Sequence, residues 1–134
     1  MNQINEEQIT KQILLDLSES EFQILAFDFP QSGTGILLVP ELETLPKMNI
    51  DIIALKGKDI WFFENKDRYY PKDFDKLFLF KRNLRYYEKS FFDKFKLDLN
   101  NYQIKTLIGL PMSAAIKIKN DKRKLVDEIW MVNI

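Results

Sequence analysis

The chain has no cysteine and no histidine among its 134 residues. The first absence excludes disulfides, thiolate zinc sites and cysteine nucleophiles. The second excludes Ser-His-Asp hydrolysis, His-paired ribonuclease chemistry and His-metal finger nucleases, which leaves carboxylate, lysine, tyrosine and metal chemistry. No apolar run reaches the roughly 18 residues of a membrane-crossing helix, and Met1 to Gln12 is too polar for a secretory signal, so a cytoplasmic protein with no membrane partner is expected. There are no internal repeats and no low-complexity tracts. The length predicts one domain, residues 1–134, with a single sizeable core.

Net charge is also absent, with 20 basic residues against 20 acidic ones, but the charges are segregated. Residues 1–51 carry a net −7, residues 52–65 balance, residues 66–96 carry +5 and residues 97–134 carry +2. A neutral chain can therefore still present one basic face.

The stretch Ile50–Lys66 carries a chemical signature. Two apolar runs flank Gly57-Lys58, which fits a two-residue hairpin loop with glycine first. Closing the ladder around it pairs Lys56 with Asp59, so that paired numbers sum to 115 and Asp51 stands opposite Glu64. Side-chain alternation puts both carboxylates on one side of the sheet. Directly opposed residues have Cβ atoms about 4.5–5.5 Å apart, where like charges are destabilising. The pair therefore needs a cation or a raised pKa, and two hard oxygen ligands beside Lys66 suit Mg²⁺.

Asp51, followed after a gap of 13 by Glu64-Asn65-Lys66, resembles the D…(D/E)-x-K signature of the PD-(D/E)XK nuclease superfamily, which includes restriction endonucleases and Holliday junction resolvases. Asn49-Ile50 stands where that motif's name has proline, and Asn65 occupies a position that is usually apolar and packs behind the sheet. The resemblance implies that Asp51 and Glu64 hold Mg²⁺, with Mn²⁺ as a substitute, that the backbone carbonyl of Asn65 completes the coordination, and that Lys66 is catalytic. It also implies an outer ligand from the first helix, Glu6, with Glu7 as the alternative.

The remaining chain predicts an order of helix, three strands, helix, strand, helix, strand. The first helix runs from about Asn5 to Leu17, with Asn5 as its N-cap and Ile9, Ile13 and Leu17 as its buried stripe; Glu6 shares that stripe. Glu21–Phe29 reads as a strand with Phe22, Ile24 and Ala26 on one face and Leu25, Phe27 and Phe29 on the other. Gln31–Gly35 is a turn and no phosphate loop, because no Gly-Lys-Ser/Thr follows. In the hairpin, Ile50, Ile52, Ala54, Trp61 and Phe63 share one side and Ile53, Leu55, Ile60 and Phe62 the other, so both faces should be covered by helices. Pro71 opens a helix expected to reach Phe95, on which Arg82, Arg85 and Lys89 form a basic stripe interleaved with Tyr69, Tyr70, Tyr86 and Tyr87. Tyr102–Leu110 is a strand, Met112–Val126 reads either as a helix or as a strand interrupted at Asn120-Asp121 and is taken as a helix, and Glu128–Ile134 is the final strand.

That order matches the restriction endonuclease-like α-β-β-β-α-β core, a central mixed sheet flanked by helices, with one further helix and strand. The expectation is a metal-dependent DNA endonuclease in which Arg82, Arg85 and Lys89 contact phosphates. A homodimer, or a subunit of a larger complex, would be needed to cut two strands. The alternative is a non-catalytic interaction protein of nuclease-like or other α/β fold, whose acidic N-terminal third binds a basic protein partner as immunity or antirestriction proteins do.

Overall fold

The computed structural model describes residues 5–28 and 36–133. It is an α/β protein built on a five-stranded mixed sheet with helices on both faces. The first helix, α1 (Glu6–Glu19), begins where the sequence places it. Asn5 accepts from the Gln8 backbone N–H and Gln8 returns the bond from its side chain, which satisfies two otherwise orphaned donors. Ile9, Ile13 and Leu17 line its buried face.

Strands β1 (Gln23–Phe27), β4 (Ile52–Lys56) and β5 (Asp59–Asn65) pair antiparallel in that spatial order. The β4–β5 hairpin keeps the expected register, Ile52 with Phe63 through Lys56 with Asp59. Gly57 turns it at φ +58°, a conformation that costs glycine little. The chain then crosses through α2 (Pro71–Arg82) and α3 (Glu88–Phe95) to β6 (Gln103–Pro111), which lies parallel to β5, and β7 (Glu128–Val132) adds parallel to β6. A separate two-stranded ladder joins β2 (Ile36–Leu38) to β3 (Met48–Ile50).

Two cores result. On one face, Ile9, Ile13 and Leu17 of α1 pack against Ile52, Ala54, Phe63, Leu107 and Val132. On the other, Phe74, Leu77 and Phe80 of α2 and Phe91 of α3 pack against Ile53, Ile60, Phe62, Ile108 and Leu110.

Four expectations change. A bulge between Ile24 and Ala26 shifts the β1 register, so Ala26 packs with Leu25 in the α2–α3 core while Phe22 and Ile24 face α1. An extra residue reverses every later side chain, which alternation alone cannot foresee. Ile50 likewise belongs to the α2–α3 core, opposite in side to Ile52, because the chain bends at Asp51 on leaving the small sheet for the large one. The helix expected from Pro71 to Phe95 is broken: α2 stops at Arg82, where the Asn83 amide turns back to the Leu79 carbonyl, and a 3₁₀ turn (Leu84–Tyr86) re-aims the chain into α3. Met112–Val126 holds only two one-turn helices, α4 (Met112–Ala115) and α5 (Asn120–Arg123). Phe29, the turn at 31–35 and Ile134 lie outside the described residues.

Candidate metal and phosphate site

The fold gathers the motif residues at the C-terminal end of β5, where the parallel pair β5–β6 ends and open α/β sheets commonly bind ligands. Asp51 is the single residue between β3 and β4. Its backbone is held on both sides, its N–H donating to the Phe63 carbonyl at 3.1 Å and its carbonyl accepting from Asp28 at 2.9 Å. Its carboxylate is aimed by the Asn65 backbone N–H, which donates to Oδ2 at 2.7 Å. The bend thus turns Asp51 toward Glu64 and Asn65 even though the regular ladder ends at Ile52.

Glu64 is 4 % exposed, so its charge is almost wholly withdrawn from water. Burial first, and then the neighbouring charge of Asp51, push its pKa well above the ordinary value, while Lys76 works in the opposite sense. Burial also raises Asp51, offset in part by the Asn65 N–H and by hydrogen bonding with the Glu64 carboxyl. The two acids behave as a coupled pair that favours one shared proton or a cation.

The lysines divide their attention in a way the sequence did not reveal. Lys66 Nζ forms a 2.9 Å ion pair with Glu6 Oε1 and sits 5.2 Å from the Tyr70 ring centroid. Burial lowers its pKa, but hydrogen bonding to Glu6 and the surrounding acids outweigh this and leave it raised. Lys76 of α2 instead reaches Glu64 Oε1 at 2.5 Å and also donates to the Asn49 carbonyl. Glu6, expected as an outer metal ligand, stands here as the ion-pair partner of Lys66.

Asn65 shows how a polar residue is accommodated behind the sheet. Its amide donates to Thr10 Oγ1 at 3.2 Å, inside the α1 face. Gly109 stands beside it on β6, and a Cβ there would come within 2.4 Å of Ile13 Cδ1 and 2.5 Å of Asn65 Oδ1. Gly109→Ala is accordingly expected to destabilise the protein by about 1–3 kcal/mol, because both neighbours are packed and Asn65 is anchored. A denaturant melt with an unchanged midpoint would contradict this packing.

Asp73, in the first turn of α2, is 7 % exposed, and its Oδ2 has no hydrogen-bond partner among the described residues. Burial raises its pKa to about 6, against the pull of Lys66 and Lys76. With the folded pKa above the unfolded one, the native state binds the extra proton between about pH 4 and 6, so Asp73 lowers stability as pH rises through that window. Asp73→Asn should stabilise the protein at pH 7–8 by about 1–2 kcal/mol, discounted for solvent at the cleft mouth, and by little at pH 4. Equal stabilisation at both pH values would rule this origin out.

The basic stripe does not form at this site. Arg82 lies at the C-terminal end of α2, about 9 Å along the axis beyond Lys76 in the middle of the helix and farther still from Asp73 in its first turn. Its guanidinium stands over Phe78, and Arg85 bonds the Tyr86 hydroxyl at 2.7 Å. Lys89 lines a shallow depression with Val39, Glu41 and Asp93. The break at Asn83 removes the shared helical face that would align the three cations. Tyr87 is fully buried, its hydroxyl donating to the Pro46 carbonyl at 2.6 Å, so it is a core residue and no ligand contact.

Sequence reasoning missed Lys76, Asp73, Thr10 and Gly109. Their only signal was indirect: two charged residues in the opening turns of the helix after the motif, and a polar residue beside the apolar stripe of α1. Among the described residues no group of three or more acidic, histidine or cysteine side chains is placed to hold an ion, and no helix is long and apolar enough to cross a membrane. No protein-family model matches the chain, and neither the curated proteins nor the solved structures compared with it include a match.

Proposed function

We propose that the chain is a Mg²⁺-dependent endonuclease of the PD-(D/E)XK superfamily that hydrolyses phosphodiester bonds in DNA. The observation that carries this reading is the pair of half-buried Asp51 and buried Glu64, brought together at the end of a sheet with a lysine on each flank. The order of α1, three antiparallel strands, a helical crossover and a parallel β6 supports a restriction endonuclease-like core, to which β7 is an addition.

The donor set suits a hard divalent ion. Asp51, Glu64 and the Asn65 carbonyl offer oxygen only, and Mg²⁺ ordinarily takes one or two carboxylates and leaves its other positions to carbonyls and water. An ion held there would supply positive charge to the scissile phosphate and to the attacking water. The protein's own groups do the rest. Lys66, fixed by Glu6, orients the water and meets the charge that builds on the phosphorane. The Asn65 N–H keeps Asp51 turned into the cleft. In the net reaction one P–O bond forms from water, one ester P–O bond breaks, and the departing oxygen takes up a proton. A homodimer, or assembly into a larger complex, would bring a second such site to the opposite strand.

The test is cleavage of plasmid, single-stranded and branched DNA by the purified chain with Mg²⁺ or Mn²⁺, and its arrest by EDTA. No cleavage of any substrate, together with a melting temperature indifferent to divalent ions, overturns the reading and favours the interaction-protein alternative.

A further inference from the structure

We propose that Lys76 is a built-in counter-ion that occupies the cation position of the Asp51–Glu64 pair, so that a divalent ion binds only by displacing it. The inference rests on the nuclease reading and adds to it a competition within the same site. The ammonium of Lys76 is held by oxygens alone, Glu64 Oε1 and the carbonyl of Asn49, two residues before Asp51. This is the kind of donor set a hard divalent ion would use. Lys66, the lysine of the motif, is engaged with Glu6, which leaves Lys76 as the cation bonded to the buried carboxyl. Helical side chains lean toward the N-terminus of their helix, and from its position in α2 that lean carries Lys76 back to the end of β5.

One position cannot serve two cations. An ion ligated by Glu64 Oε1 would stand against the Lys76 ammonium, so ion entry is an exchange of partners. The released ammonium has a natural acceptor in the phosphate of a bound substrate. Metal and phosphate should therefore bind with positive coupling, each tighter in the presence of the other, because the lysine passes from carboxylate to phosphate.

Lys76→Met keeps the apolar stem and removes the charge. In calorimetric titration of the full chain with Mn²⁺ and no DNA, the variant should bind about tenfold or more tightly than wild type. A second arm uses the wild-type chain and needs no variant to fold. Acetylation of Lys76 by acetic anhydride, read by mass spectrometry, should be slow without divalent ions and several-fold faster in millimolar Mg²⁺, with no change in NaCl of equal ionic strength. Equal Mn²⁺ affinity of the two proteins, or acetylation of Lys76 indifferent to Mg²⁺, overturns the counter-ion. If wild type still cleaves DNA in that case, the nuclease reading stands without it. Should wild type neither bind Mn²⁺ nor cleave, both fall together.

Discussion

Asp51→Asn is expected to raise the melting temperature of the metal-free protein and to abolish its stabilisation by Mg²⁺. Burial raises Asp51, and raises Glu64 further, above their ordinary values, so each binds protons more readily folded than unfolded. The native state therefore loses stability as pH rises from the ordinary carboxylate values through the raised ones, and at neutral pH the pair is a net cost. Asparagine preserves the acceptor for the Asn65 N–H and removes one of the two opposed charges. Relief of about 1–2 kcal/mol corresponds to roughly 2–8 °C in a chain of this size.

The response to metal should move the other way. An ion that binds only the folded state stabilises wild type by mass action, and the variant has lost a ligand. Cleavage should fall by about 10³-fold or more, since the ion's charge is withdrawn from the phosphate. Melting curves in EDTA, in Mg²⁺ and in NaCl of equal ionic strength separate these effects. A wild-type curve that responds to Mg²⁺ no more than to NaCl would remove the metal site altogether.

Lys66→Ala should reduce cleavage by about 10²–10³-fold while leaving DNA binding largely intact, because the lysine acts mainly on charge that appears in the transition state. Stability should change little. The Lys66–Glu6 pair is partly solvent-exposed, and such pairs contribute about 1 kcal/mol or less. Glu6→Gln should give a smaller loss of rate, since the lysine keeps its charge and loses only its anchor. Single-turnover rates alongside filter binding distinguish the two roles. If Lys66→Ala cuts at the wild-type rate and Lys76→Met does not, the catalytic lysine comes from α2 and the motif lysine is structural.

The local features of this chain were legible because their causes are local. Hydrophobic period, the Asn5 cap and the Gly57 turn set α1 and the β4–β5 hairpin, whose register pointed to Asp51 opposite Glu64, although regular pairing stops at Ile52 and the bend at Asp51 is what turns it toward Glu64. The apolar residues on both hairpin faces already required a sheet covered twice. What the tertiary structure decided were the features that depend on distant partners. A one-residue bulge at Leu25 has no residue signature, yet it moves Ala26 to the other core. The break at Asn83 separates α2 from α3, which pack on the same sheet face, and it puts Arg82, Arg85 and Lys89 on three different elements. The partner of each lysine was likewise invisible in one dimension: Lys66 lies two residues from Glu64 in sequence but is drawn to Glu6, whereas Lys76, 12 residues away, bonds it. Charges interact across space at ranges that sequence spacing does not report, so the carboxylates could be found from the sequence and their counter-ion only from the fold.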